Sequence, residues 1–206
     1  MEAITDFYLF LISVVFISFS GVMAPGPLFA VTIAKSLDDK KAGVLISFGH
    51  GIVEFPLVFL IYFGFIQFLA SSLAHKIIGL IGGLIMIYMG FRMAKTERKN
   101  HKEYEASGHS SVWAGALATG ANPYFLLWWV TIGSYLVLNA QIFGFIGFLV
   151  FIFVHWLCDL VWNSFVSLTV FKSKRFLTGK MQKIIFAFCF FVLVSFGFWF
   201  VISAII

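Results

Sequence analysis

Ala24-Pro25-Gly26-Pro27, followed on the next apolar stretch by His50-Gly51-Ile52-Val53-Glu54, is the part of the sequence that decides the fold, because its pattern is written twice. The second copy reads Ala121-Asn122-Pro123 and then His155-Trp156-Leu157-Cys158-Asp159, with a short insertion between its proline and its histidine. Each copy is a proline-interrupted apolar segment followed by one that carries His-x-x-x-acid. Repeated halves with broken helices and buried acids are how many secondary transporters are built.

Composition places both copies in a membrane. Of 206 residues, 61% are hydrophobic and 11% charged, where a soluble domain carries roughly one quarter charged residues. Apolar stretches near residues 7–37, 42–69, 76–94, 112–138, 141–171 and 182–206 are long enough to cross about 30 Å of hydrocarbon. The expected fold is therefore an all-α integral membrane protein with six transmembrane helices, of which the first and fourth are broken at proline. Spans of about 30 residues exceed the bilayer and require tilt, breaks or projecting ends.

Three crossings per half is an odd number, so the second half is inverted relative to the first. The chain divides into a first three-helix repeat (1–94), a cytoplasmic polar linker (95–111) and a second, inverted three-helix repeat (112–206). The linker mixes Lys, Glu, Ser and His and reads as a solvated loop. Of the 14 basic residues, all but Lys76 fall in the connections after spans one, three and five. By the positive-inside rule those connections face the cytoplasm and both termini lie outside it. The net charge of +5 then describes a membrane face beside anionic lipid and requires no nucleic acid. Glu2 and Asp6, ahead of a long apolar run, do not read as a removable signal peptide. Cys158 and Cys189 lack CxxC spacing, so neither a disulfide framework nor a zinc site is expected, and no cofactor is implied.

The prolines carry the first piece of chemistry. Pro25 and Pro27 lack the N–H donors that would bond the carbonyls of Gly21 and Met23, and Pro123 likewise frees Thr119. In hydrocarbon such groups need another helix, a side chain or a water-lined cavity. Beyond Gly26-Pro27 and Asn122-Pro123 the chain can restart as half-helices whose positive ends suit a carboxylate. A packing kink is the alternative for a single proline, but recurrence at corresponding positions favours binding ends. Pro56 has no counterpart and reads as a kink.

The His-acid pairs carry the second piece. His50 and Glu54 share one helix face, as do His155 and Asp159. Glu54 lies about twelve residues into its span, roughly 18 Å along the axis and near the bilayer middle, where a carboxylate is costly and marks function. Desolvation and a neighbouring imidazole act in opposite senses on its proton affinity, so each pair can exchange protons near neutral pH. The competing explanation is a structural His–carboxylate hydrogen bond. The same four residues, His50, Glu54, His155 and Asp159, would also make a four-ligand set for a divalent metal. Trp128, Trp129, Trp156 and Trp162 read as packing, or as a substrate wall and cation–π platform. Gly43, Gly49, Gly51 and Gly79-x-x-x-Gly83 read as sites of close helix contact.

Met23-Ala24-Pro25-Gly26-Pro27, Lys40-Lys41-Ala42-Gly43, Gly49-His50-Gly51 with Glu54, and Gly120-Ala121-Asn122-Pro123 together resemble the LysE/RhtB amino-acid exporters over essentially the whole chain. The resemblance implies an exporter of amino acids or similar small metabolites in a prokaryotic inner or plasma membrane, driven by proton or ion exchange. Many members have Asn and Lys where this chain has Leu28 and Tyr124. The wider superfamily also includes heavy-metal exporters and thiol electron carriers. The expectation is a transporter, not an enzyme. Pro25, Gly26, Pro27, Asn122 and Pro123 meet the substrate, while Glu54 and Asp159, with His50 and His155, bind its ammonium or a coupling ion during alternating access. The expected partners are a small-molecule substrate, a coupling proton or ion and membrane lipid, with a homo-oligomer left open. The runner-up is a divalent-metal exporter. A thiol-disulfide carrier would need paired cysteines at the breaks, where Cys158 and Cys189 do not lie.

Overall fold

The computed structural model describes residues 6–24, 26–65, 72–96, 108–173 and 179–205, and every regular element among them is helical. Pro25 and residues 97–107 of the expected linker lie outside the described residues. So do Arg98, Lys99, Lys102, Lys174 and Arg175, five of the basic residues that set the expected orientation.

Helix α1 (Phe7–Val22) starts where the Asp6 carboxylate accepts from the Leu9 N–H at 2.8 Å. After the first break, α2 (Pro27–Ser36) begins with proline in its first turn, where the missing N–H has no intrahelical partner to lose. The two axes differ by 77°. Helix α3 (Ala42–Tyr62) continues through Pro56. It closes on Gly64 at φ 90°, with the Gly64 N–H on the Ile61 carbonyl and the Phe65 N–H on Leu60, a Schellman ending that needs a residue tolerant of positive φ. Helix α4 (Ser72–Thr96) follows. Beyond it come α5 (Gly108–Gly120), α6 (Pro123–Trp128), a π-helical turn (Trp129–Gly133), α7 (Ser134–Gln141), α8 (Gly144–Ser173) and α9 (Gly179–Ile205).

By length and composition α3, α8 and residues Lys183–Ile205 of α9 can each cross a membrane, and the bent pair α1–α2 makes a fourth span if counted as one. The other two stretches expected to cross are built differently. Helix α4 has a shorter apolar core, Gly79–Phe91, and residues 108–141 are divided among α5, α6, the π turn and α7. Phe16, Ile52, Ile146, Phe153 and Trp199 point outward, whereas Ser18, Thr32, Ser47, His50, Glu54, His155, Asp159 and Asn163 are buried. Polar groups inside and large apolar groups outside is the distribution helices adopt in lipid.

Helix α3 packs on α8 and α5, α1 packs on α8, and α4 packs on α9. Small residues bring the backbones together: a Cβ on Gly43 would stand 2.0 Å from the Asn163 carbonyl oxygen of α8, and one on Gly49 1.9 Å from that of Val112 on α5. A polar seam fixes the register of α3 against α8. Ser47 Oγ donates to the Asp159 carbonyl at 3.2 Å and accepts from Asn163 Nδ2 at 3.2 Å, while Trp156 Nε1 donates to the Ser47 carbonyl at 2.9 Å. Below this seam an apolar cluster around Phe10, Val14, Trp129, Phe148 and Phe151 supports the helices that carry the buried acids.

Candidate functional site

Because α3 and α8 face each other at this register, their His-acid faces converge. His50 Nε2 lies 3.0 Å from Glu54 Oε1, and His155 Nε2 lies 3.1 Å from the same oxygen. Within α8 the expected pairing is looser. His155 Nε2 stands 3.9 Å from Asp159 Oδ2 and Asp159 Oδ1 stands 3.6 Å from His50 Nε2, both beyond hydrogen-bond range. The two pairs legible in sequence are therefore one cluster centred on Glu54. Helix spacing alone favours pairing within α8; the close approach of α3 hands His155 to the other acid.

Each imidazole is held from behind by a hydroxyl on a helix that runs into a break. Ser18 Oγ of α1 is 2.7 Å from His155 Nδ1, and Thr119 Oγ1 of α5 is 2.9 Å from His50 Nδ1. Ser18 commits its hydrogen to the Val14 carbonyl at 2.6 Å, so it accepts from His155 Nδ1–H. His155 Nε2 and Glu54 Oε1 then meet with a proton between them, on the imidazolium or on the carboxyl group. Sequence reasoning missed both hydroxyls. Thr119, one turn before Pro123, offered a positional hint; Ser18 offered none.

Aromatic rings enclose the imidazoles. Trp128 stacks on His155 with centroids 5.4 Å apart, Trp129 meets it edge-on at 4.9 Å, and Phe125 meets His50 edge-on at 5.3 Å. Such faces stabilise a cationic ring. The π turn seats Trp129, since a Cβ on Gly133 would stand 2.2 Å from its ring. Trp156 instead ties α8 to α3, and Trp162 packs beside Phe165.

A cavity of about 320 Å³ opens beside the cluster and is lined by His50, Glu54, His155 and Asp159. The first break enters it through Gly26, Pro27, Leu28 and Phe29, and the second through Asn122 and Tyr124; Pro123 is not among the lining residues. The two breaks are finished differently. Gly26 is extended and no side chain caps α2, which leaves the first N–H groups of that helix without an intrahelical acceptor. At the second break Asn122 Oδ1 accepts from the Tyr124 N–H at 3.1 Å. Two of the three carbonyls expected to be bare are recaptured in turns: Gly21 accepts from the Ala24 N–H at 3.1 Å and Thr119 from the Asn122 N–H at 3.0 Å.

Glu54 Oε2 and Asp159 Oδ2 are buried and have no hydrogen-bond partner among the described residues. Buried acceptors of this kind are costly, and both belong to residues that line the cavity. His50, Glu54 and Asp159 also offer one atom each within 4.8 Å of one another, a spacing that admits a cation. The sequence model of a family described as LysE type translocator matches residues 19–204. No curated protein and no solved structure matches the chain.

Proposed function

The chain belongs to the LysE type translocator family, and from that premise we propose that it is a secondary active exporter of amino acids or similar small metabolites, working by proton-coupled alternating access. One observation carries this reading: a carboxylate oxygen shared by two imidazoles, with two partnerless carboxylate oxygens in the same cavity wall. A substrate ammonium would donate to Glu54 Oε2 and Asp159 Oδ2, and its carboxylate would meet the uncapped N-terminus of α2. A proton entering the cluster neutralises a carboxylate and removes an acceptor from the ammonium, which then leaves. Proton and substrate compete for the same oxygens, and competition of this kind is what exchange transport requires.

The helix pairings support a six-span inverted repeat with halves 1–94 and 112–206. Helix α1 lies on α8 as α5 lies on α3, α2 lies on α9 as α6 lies on α4, and the α3–α8 and α4–α9 pairs join equivalent elements of the two halves. The basic connections orient this assembly in a prokaryotic plasma or inner membrane with both termini outside the cytoplasm.

The test is counterflow of labelled amino acids by purified protein in liposomes, with and without a pH gradient. Exchange and gradient-driven uptake are both expected. The spacing of His50, Glu54 and Asp159 favours a divalent-metal exporter as the second reading. Calorimetry with zinc, cadmium, manganese and nickel decides between them: micromolar metal binding lost on replacing His50, Glu54, His155 or Asp159 would replace the amino-acid reading with the metal one.

A further inference from the structure

The cavity wall beyond the charged cluster is mainly apolar. Leu28 and Phe29 enter from α2, Tyr124, Phe125 and Trp128 from α6, and Phe196 from α9. Apart from Glu54 and Asp159 with their two imidazoles, none of the described residues lining the cavity is Lys, Arg, His, Asp or Glu. The Asn163 amide is engaged through both its nitrogen and its oxygen, and the Asn122 amide through its oxygen. Asn163 Nδ2 donates to Ser47 Oγ at 3.2 Å and its Oδ1 accepts from Thr32 Oγ1 at 3.3 Å, while Asn122 Oδ1 serves the Tyr124 N–H. The two carboxylate oxygens and the positive N-terminus of α2 suit one ammonium and one carboxylate, and the Tyr124 hydroxyl, the Trp128 indole N–H and Asn122 Nδ2 are the neutral polar groups of the wall.

We infer that the cargo is a neutral amino acid with a large apolar side chain, aromatic or branched aliphatic. The inference rests on the amino-acid reading proposed above and adds the side-chain class. A second positive charge on the side chain would find both carboxylates already serving the first, and a negative one would find no cationic residue outside the cluster. An unpaired charge in such a place is strongly disfavoured. A hydroxyl or amide side chain would exchange most of its water for walls that are mainly apolar. A large apolar side chain covers those walls and buries its own surface. At about 320 Å³ the cavity stands near the lower end of small-molecule sites, in keeping with one amino acid and not a peptide.

The experiment is counterflow by the full chain in liposomes with labelled phenylalanine, tryptophan, leucine, threonine, lysine and glutamate, followed by the same panel on Leu28→Asn and Phe196→Ala. Phenylalanine or leucine should exchange at least about 10-fold more efficiently than threonine, because an apolar pocket discriminates by that order per missing group, and lysine and glutamate more weakly still. Leu28→Asn should narrow the phenylalanine-to-threonine ratio severalfold, with Phe196→Ala acting in the same direction. Preference for lysine, glutamate or threonine would overturn the side-chain inference while leaving the exporter reading in place. Absence of exchange for every amino acid, from protein that still melts cooperatively, would overturn the exporter reading and this inference with it. Two folded variants with an unchanged ratio would remove these walls as the source of selectivity.

Discussion

The two breaks begin alike and finish differently. Both place proline in the first turn of a restarting helix. At the first, Gly26 has no side chain to cap with, and α2 presents an uncapped N-terminus at the cavity. At the second, Asn122 caps α6 through the Tyr124 N–H, and the chain then runs into the π turn that seats Trp129 against His155. A repeated backbone interruption has therefore been put to two uses. In the proposed mechanism the first break receives the substrate carboxylate, and the second supplies aromatic walls and a cage for the imidazole.

The comparison can be broken at the acid both halves share. Glu54→Gln leaves the shape of the cluster but removes the proton-exchanging group between the imidazoles, so gradient-driven uptake should fall on the order of 100-fold, as liposome uptake with an imposed pH gradient will show. Asp159→Asn, which touches neither imidazole within hydrogen-bond range, should cost less. The prolines come next. Pro27→Ala restores an N–H and lets α1 and α2 draw into line, so transport should fall about 10-fold or more while the melting temperature holds or rises. Pro123→Ala leaves the Asn122 cap in place and should have a smaller effect on exchange rates. Equal losses at both prolines would erase the division of labour.

Smaller effects sharpen it. Asn122→Ala removes a cap worth about 1 kcal/mol, so denaturant unfolding in detergent should show a loss of that size, with exchange reduced only modestly. Ser18→Ala deprives His155 Nδ1–H of its acceptor, and Thr119→Val does the corresponding damage at His50. Each should lower transport severalfold and alter its pH profile, with Ser18→Thr restoring both. Loss of transport with an unaltered pH profile would make the hydroxyls packing groups only.

Much of this was legible in the chain because the strongest signals were backbone rules. A proline in hydrocarbon must break a ladder, and a carboxylate twelve or so residues into an apolar span must find a partner. Those rules singled out Pro27, Pro123, Glu54 and Asp159, and the doubling of the pattern suggested that they belong together. Two things were not legible. One was which acid each imidazole would choose, since His155 lies nearer in sequence to Asp159 but is brought to Glu54 by the approach of α3 and α8 at Gly43. The other was capping. Asn122 looked like an added substrate ligand, yet its oxygen satisfies its own half-helix, because a cap of that kind forms wherever an Asn precedes a helix start and meets an open N–H. Ser18 and Thr119 escaped notice for a related reason: a lone hydroxyl in an apolar helix carries no spacing signal, and only the fold shows which ring it meets.

The central claim is that proton and substrate compete for one buried set of carboxylate oxygens. Proton release on substrate binding, followed with a pH indicator in weakly buffered detergent solution, tests it most directly. The wild-type protein should release protons in proportion to bound amino acid, and Glu54→Gln should bind more weakly and release none. Binding of the same amino acid to the wild-type protein with no proton released, across the neutral range, would contradict the account.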